Sequence, residues 1–132
     1  MLKILIVEDN DSLRELLATS LAVSYGFKVV QSPSGNEAIK LLEKGERFTV
    51  VVSDFNMPNG NGADLQRYLV QSDCRSLFFF FTSEMEPVTD PAHRYYVGTV
   101  QKPHVEKLIT EIVMSICTFP FSLRKIGPNN DA

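Results

Sequence analysis

Charged side chains at the ends of three apolar runs form a set that could carry out chemistry on a phosphoryl group. Asp54, the pair Glu8-Asp9 and Lys102 each come directly after a different run. A carboxylate such as Asp54 can attack phosphorus and form an acyl phosphate when the incoming negative charge is neutralised. Asp9 and Asp54 offer the hard oxygen ligands that Mg²⁺ prefers, and Glu8 would support that site from further out.

Two more groups complete the set. Lys102 would hold a phosphoryl oxygen as a compact ammonium, and Thr82, which follows the run Leu77–Phe81, would donate its hydroxyl to another. Each residue also has an ordinary structural interpretation: Asp54 could cap a turn, and Lys102 could be a solvated loop residue. The combination of acids, hydroxyl and lysine favours the functional interpretation.

The elements that must position these groups are strands and helices in alternation. Continuous apolar runs are typical of strands buried on both faces, and they predict strands at Leu2–Val7, Lys28–Gln31, Thr49–Ser53, Leu77–Phe81 and Gly98–Gln101. Strands that alternate with helices predict right-handed crossovers and a parallel sheet. The fold class is therefore α/β, a doubly wound five-stranded parallel sheet whose ligands bind at the carboxyl ends of the strands.

Capping signals and apolar stripes predict the helices. Ser12 with Glu15, and Ser34 with Glu37, each read as a capping box, and glycines at 26 and 45 end the two helices. The first stripe consists of Leu13, Leu16, Leu17 and Leu21. A third helix is predicted from about 63 to 70, and a last one carries a stripe of Val105, Leu108, Ile109, Ile112, Val113 and Ile116.

Two segments depart from this regular pattern. Pro87 and Pro91 oppose a regular fourth helix, so residues 83–97 are predicted to form a loop with one or two turns starting near Pro91. After Phe119, Pro120 should take the chain out of the last helix. We therefore expect one domain over residues 1–118 and a partly disordered tail over residues 119–132.

Composition limits the functions that are compatible with the chain. Its 132 residues, 44% of them hydrophobic, suit one compact domain. A net charge of -3 with no basic stripe argues against nucleic acid and anionic membranes as partners. Cys74 and Cys117 lie in no metal-binding spacing and indicate free thiols in a reducing cytoplasm. The longest apolar run is far shorter than the ~20 residues of a membrane span, so we expect a cytoplasmic protein.

With these motifs in place, the chain resembles the receiver domain of bacterial response regulators of the chemotaxis type. The resemblance covers residues 2 to about 118, and the order and spacing of its motifs are specific. The matching residues are Glu8-Asp9, Asp54 with Met57-Pro58 and Gly62, Thr82-Ser83, and Lys102-Pro103. It implies a flavodoxin-like sheet with the strand order 2-1-3-4-5, an order for which a chemotaxis receiver is a known example.

The resemblance also implies a role for each matching residue. Asp54 would be the phosphoacceptor, and Asp9, Asp54 and the backbone carbonyl of Asn56 would bind Mg²⁺, with Glu8 in contact through water. Thr82 would turn toward the phosphoryl group, and Lys102 would pair with it.

Beyond the phosphoacceptor site, the resemblance implies a cis bond between Lys102 and Pro103. Asn56 and Glu84 would occupy the two positions that tune hydrolysis of the acyl phosphate. The donor would be a sensor histidine kinase or a phosphotransfer protein, and the output would be a changed affinity for a downstream protein target.

Two departures from the family pattern leave alternatives open. Thr99 stands where the family usually has a switching Tyr or Phe, and it reads as plain strand filler; the fourth helix of the signalling face is broken by prolines. A receiver-like interaction module that works without phosphorylation is therefore a second hypothesis. A third is a Mg²⁺-dependent phosphohydrolase, although such enzymes usually place a second Asp two residues after the nucleophile, where this chain has Asn56.

Overall fold

A computed structural model of the protein describes residues 2–126, and the side chains of residues 2–118. Within this part, strands and helices alternate along most of the chain, as predicted. The strands are β1 (Lys3–Val7), β2 (Lys28–Ser32), β3 (Val50–Ser53), β4 (Leu77–Thr82) and β5 (Tyr96–Gln101). The helices are α1 (Asp11–Tyr25), α2 (Gly35–Glu43), α3 (Gly62–Gln71) and α4 (Val105–Ile126).

The five strands form one sheet with the order β2-β1-β3-β4-β5. Every neighbouring pair is parallel, so all strands end at the same edge of the sheet. Because the order reverses between β1 and β3, their carboxyl ends flank the crevice where ligands bind in such sheets. The predicted fold class and strand order are confirmed.

Both faces of the sheet are buried, which explains why the strands read as continuous apolar runs rather than alternating ones. Alternate residues of each strand point to opposite faces. The core beside α1 and α4 contains Ile4, Ile6, Leu17, Leu21, Val50, Val52, Phe79, Phe81, Leu108 and Ile112. The core beside α2 and α3 contains Leu5, Val7, Ala38, Leu42, Val51, Leu65, Leu69, Phe78 and Phe80.

Helix α1 begins two residues earlier than predicted. Its N-cap is Asn10, whose side-chain oxygen accepts a hydrogen bond from the Leu13 backbone N–H, so the capping box predicted at Ser12 is wrong. Asn10 caps the helix because its side-chain oxygen satisfies one of the free backbone N–H groups of the first turn.

Two further helix predictions have different outcomes. Leu16, predicted to be in the buried stripe of α1, is 52% exposed. The cap predicted at Ser34 is confirmed by its bond from the Glu37 backbone N–H.

The connection between β4 and β5 contains no helix. The structure describes all residues from 83 to 95, and they form bends, turns and irregular chain with no helix or strand. The His93 N–H bonds to the Asp90 carbonyl and the Tyr96 N–H to the His93 carbonyl, so the turns lie near Pro91 as predicted. The prolines remove the donors that a helix needs, and a loop, called here the β4–β5 segment (residues 83–95), takes its place.

Helix α4 runs on to Ile126, so the prediction that the chain leaves the helix near Phe119 is wrong. A proline removes one intrahelical hydrogen bond, and the other bonds of this 22-residue helix do not depend on it. The end of the predicted tail, residues 127–132, lies outside the described residues. None of the helices within residues 2–126 is long and apolar enough to cross a membrane. Both cysteines are free thiols.

Candidate functional site

Asp54 is the first residue after β3, and the loop that follows holds its side chain in place. The residue is 8% exposed. Its Oδ1 atom accepts a 2.7 Å hydrogen bond from the Phe55 backbone N–H. The same loop returns very close to Asp54, because a Cβ atom at Gly62 would lie 2.3 Å from the Asp54 carbonyl oxygen. A glycine at position 62 therefore lets the start of α3 pack against the backbone of Asp54.

The turn after β1 presents one acid inward and the next outward. Glu8 is 2% exposed, and its Oε2 accepts a bond from the Asn10 backbone N–H at 3.1 Å. The Arg14 guanidinium donates to the Glu8 carbonyl and to the Asp11 side chain, both at 2.7 Å. Asp9 is exposed. Arg14 thus fixes the turn that separates the two acids.

Lys102 connects the carboxylates of Glu8 and Asp54, which come directly after β1 and β3. Its Nζ atom lies 2.7 Å from Asp54 Oδ2 and 3.0 Å from Glu8 Oε1. Its backbone N–H donates to the Thr82 carbonyl at 2.9 Å, which keeps the end of β5 beside the end of β4. The bond to Pro103 is cis, as the resemblance implied. The placement predicted for Lys102 beside the acids is therefore what the tertiary structure shows.

Burial and charge shift the titration of this cluster. Burial raises the pKa of the Glu8 carboxyl above its ordinary value, although the bonds from Lys102 and Asn10 favour the ionised form. Burial alone would lower the pKa of Lys102, but its hydrogen bonds to Asp54 and Glu8, together with the attraction of these two charges, outweigh that effect and raise it. Lys102 therefore stays a cation at neutral pH and offsets charge that the buried acids would otherwise leave unbalanced.

The acids also fit a divalent cation. Glu8, Asp9 and Asp54 each offer one carboxylate oxygen, and these atoms lie within 4.8 Å of one another. Ligand oxygens around an octahedral Mg²⁺ lie roughly 3 to 4 Å apart, so small side-chain movements would bring the three into one shell. Three formal negative charges against the single ammonium of Lys102 leave an excess that a divalent ion would balance. The hard oxygen set suits Mg²⁺.

Thr82 lies at the end of β4 and is 1% exposed. Its Oγ1 atom accepts a 3.1 Å bond from the Glu84 backbone N–H. The Glu84 carboxylate in turn accepts a 3.0 Å bond from the Asn56 side-chain amide. Gln101 donates to the Glu84 carbonyl at 2.8 Å. The beginning of the β4–β5 segment is therefore tied directly to the residues around Asp54.

Thr99 makes a specific side-chain contact, although its sequence interpretation as strand filler predicted none. Its hydroxyl lies 2.6 Å from the Tyr96 hydroxyl. A register shift in β5 opposite Phe78 and Phe79 makes this possible, because it puts both side chains on the face of Phe80. Tyr95, by contrast, is buried. Of the two tyrosines, Tyr96 is the one beside Thr99.

The structure brings Glu8, Asp9, Asp54 and Lys102 together, with Thr82 and Asn56 connected through Glu84. The proposed Asn56 carbonyl ligand stays a prediction, since the contacts described for this residue involve its side chain.

Sequence reasoning missed Arg14 and Gln101. The signal for Arg14 was its spacing of three from Asp11 on a helix. The signal for Gln101 was weaker, a polar residue at the end of an apolar strand.

The model of the response regulator receiver domain family matches residues 4–113. Receiver domains are phospho-accepting switch domains and not classical enzymes. The doubly wound sheet, with a buried aspartate, an acidic pair and a lysine at the carboxyl ends of its strands, agrees with this class. The chain belongs to this family, and it is a CheY-like receiver domain of a two-component response regulator. Receiver domains interact with histidine kinases or phosphotransfer proteins.

Relatives and solved structures agree with this assignment. The chain is 29% identical to the chemotaxis protein CheY of Pseudomonas aeruginosa over 121 residues, 87% of this chain and 95% of that protein. It is 34% identical to a CheY homolog of Campylobacter jejuni over 64 residues, so it spans about half of that relative's length (49%) and 48% of its own.

Two solved structures have the same fold. The chemotaxis protein CheY4 of Vibrio cholerae matches with a TM-score of 0.73 and 28% identity, covering 86% of this chain and 98% of that one. The response regulator TrrA of Thermotoga maritima, solved in complex with Mg²⁺-BeF, matches with a TM-score of 0.74 and 23% identity. That match covers 87% of this chain and 98% of TrrA, and it bears on the fold alone.

Proposed function

We propose that Asp54 accepts a phosphoryl group from a histidine kinase or phosphotransfer protein, and that this modification changes the affinity of the chain for a protein partner. The observation that carries the proposal is the contact of Lys102 Nζ with Asp54 Oδ2 at 2.7 Å, inside a cluster of three acids that fits Mg²⁺. A buried carboxylate at the end of β3, paired with a lysine from the end of β5, is placed to receive an anionic group.

The transfer is a displacement at phosphorus. An Asp54 carboxylate oxygen forms the new P–O bond while the N–P bond of a phosphohistidine breaks, and the departing imidazole takes up a proton. Lys102 moves from Asp54 Oδ2 to a phosphoryl oxygen and balances its charge. Thr82 donates a hydrogen bond from its hydroxyl to another phosphoryl oxygen. Its hydroxyl hydrogen is available because Thr82 Oγ1 acts only as the acceptor in the bond from the Glu84 N–H.

Glu8, Asp9 and Asp54 would hold the Mg²⁺, together with the Asn56 carbonyl. Bound there, the ion supplies positive charge for the phosphoryl oxygens. The residues of the chain bind and orient the group, and the chain promotes only its own phosphorylation and dephosphorylation. Asn56 argues against the phosphohydrolase hypothesis, because an amide bonded to Glu84 has no acidic proton to give a leaving group.

The test is the mass of the intact chain after incubation with Mg²⁺ and acetyl phosphate. We expect the addition of one phosphate, lost in Asp54→Ala and when the metal is chelated. Asp73→Asn is the matched control, because Asp73 is an exposed carboxylate in the loop before β4, on the opposite edge of the sheet from the carboxyl ends of the strands. An unchanged mass under saturating donor would refute the proposal, and so would a phosphate that persists in Asp54→Ala.

The second candidate, an interaction module that signals without phosphorylation, is favoured by the absence of a helix in the β4–β5 segment and by the Tyr96–Thr99 contact. Partner binding that is equally tight for the unmodified chain, the phosphorylated chain and Asp54→Asn would support this candidate. A phosphate-dependent change in affinity would support the first.

A further inference from the structure

His93 is a buried histidine that the proposed chemistry at Asp54 does not use. It lies in the β4–β5 segment, is 7% exposed, and packs against the Phe78 ring with the ring centroids 5.4 Å apart. Phe78 belongs to the core on the face of α2 and α3. His93 therefore closes part of the apolar face over β4 that the missing helix would otherwise cover.

Gln66 of α3 holds this segment at two points. Its Oε1 atom accepts a 3.0 Å bond from the Asp90 backbone N–H, and its Nε2 atom lies 3.1 Å from His93 Nδ1. Since the amide oxygen is used by Asp90, the amide nitrogen must donate to His93, and Nδ1 must accept. The ring proton is then on Nε2, which is the buried side-chain polar atom without a partner among the described residues.

This arrangement is incompatible with a charged ring. An imidazolium carries N–H groups on both nitrogens, so Nδ1 could no longer accept from Gln66. Rotation of the Gln66 amide would offer its oxygen to His93, but it would turn the NH₂ group toward the Asp90 N–H. In both orientations one buried donor loses its acceptor, and a cation is buried beside the Phe78 ring.

The groups that face His93 give little compensation. Phe78 comes from β4, Gln66 from α3 and Asp90 from the segment itself, and only Asp90 is charged. Burial lowers the pKa of His93, and the attraction of Asp90 only partly opposes that effect. The neighbouring Arg94 guanidinium lies over the Tyr95 ring and would repel a second cation nearby.

We propose that Gln66 and His93 form a proton-operated latch that holds residues 90–95 against α3, and that protonation of His93 releases them and uncovers Phe78. The latch is a regulatory device separate from phosphorylation of Asp54. It makes the surface formed by the β4–β5 segment depend on pH.

The chain suits a direct test because His93 and His104 are its only histidines, and His104 is exposed. In an NMR titration of the whole chain, we expect the His93 ring to titrate below the ordinary histidine value of about 6.5, because burial lowers its pKa. His104→Asn leaves His93 as the single signal. A His93 ring that titrates at or above the ordinary histidine value would overturn the proposal.

Amide hydrogen exchange then reports release of the segment. After correction for intrinsic exchange rates, the opening equilibrium at the Asp90 N–H should increase about tenfold for each unit by which the pH falls, between the pKa of His93 in the open form and its lower pKa in the closed form. Amides of β1 and β3 should not follow. His93→Asn keeps an acceptor and cannot titrate, so its exchange should be independent of pH.

Gln66→Leu keeps His93 but removes the latch, so it should expose the Asp90 N–H at every pH and return His93 toward its ordinary pKa. The proposal would be refuted if protection of the Asp90 backbone N–H in the unmodified chain did not depend on pH. Loss of protection shared equally by β1 and β3 would also refute it, because that is global unfolding.

Discussion

The carboxyl ends of the strands and the β4–β5 segment are held by different kinds of interaction. At the strand ends, Lys102 ties together two buried carboxylates from separate strands. In the segment, a neutral amide and a neutral imidazole make the connection to α3. The first depends on opposite charges, and the second depends on the absence of charge. A group that brings charge, such as a phosphate or a proton, therefore acts on each region differently.

Besides the hydrogen bonds of Glu84, the buried Phe80 ring of β4 connects the neighbourhoods of the two regions. Its ring makes an edge contact with Phe55, the neighbour of Asp54, and a tilted contact with Tyr96, which follows the segment. This packing gives a physical route between the two regions through contiguous side chains. Whether it transmits a signal is decided by coupling measurements.

The largest effect is expected for Phe80→Ala, which removes the shared ring. Phe80 is fully buried, so the substitution should lower the free energy of unfolding by about 3 to 5 kcal/mol. Urea unfolding followed by circular dichroism measures it, since the chain has no Trp. Val88→Ala, at a side chain that is 80% exposed, should change stability by less than about 0.5 kcal/mol. Equal losses of stability in Phe80→Ala and Val88→Ala would mean that the packing of the Phe80 ring does not contribute to the stability of the fold.

Lys102→Met tests the charged region alone. It leaves the Glu8 and Asp54 carboxylates buried without their cation, which should cost about 3 kcal/mol in metal-free buffer. Added Mg²⁺ should recover part of this loss, and Glu8→Gln should do so as well, since each reduces the unbalanced charge. The control is Lys107→Met on the exposed side of α4. Stability that is unchanged in Lys102→Met would contradict the charge argument.

The pH dependence of stability tests the neutral region. Because burial lowers the pKa of His93, the unfolded chain binds more protons between the folded pKa and the ordinary value of about 6.5. The stabilisation from neutral His93 is complete above that value and is lost as pH falls toward the folded pKa. Between about pH 7.5 and 5, the unmodified chain should lose more stability than His93→Asn, by up to about 1.4 kcal/mol per pH unit. Parallel curves would contradict this.

The smallest effect is expected at the turn that carries the acids. Asn10→Ala should destabilise the chain by about 1 kcal/mol, because it removes the side-chain acceptor for the Leu13 N–H. Ser12→Ala should have almost no effect, since Ser12 lies inside α1 and does not cap it. Thermal unfolding of both variants measures the difference. A larger loss of stability in Ser12→Ala than in Asn10→Ala would mean that Ser12 caps α1, as the sequence pattern predicts.

Much of the molecule follows from the sequence alone. Continuous apolar runs separated by helical stripes determine a parallel sheet buried on both faces, and a residue after such a run must lie at the carboxyl edge. That is why Glu8, Asp9, Asp54 and Lys102 could be placed at one edge before any contact was known. The loss of the helix between β4 and β5 also follows, because proline cannot donate a backbone bond.

Only the tertiary structure decided which groups meet across long separations. The bond between Gln66 and His93 joins residues 27 apart, the Arg14 contact sets the turn of Glu8, and the Tyr96 hydroxyl reaches Thr99 through a register shift. Periodicity specifies the face of an element on which a residue lies. It does not specify the distance between two side chains on different elements, which the packing of the whole core sets.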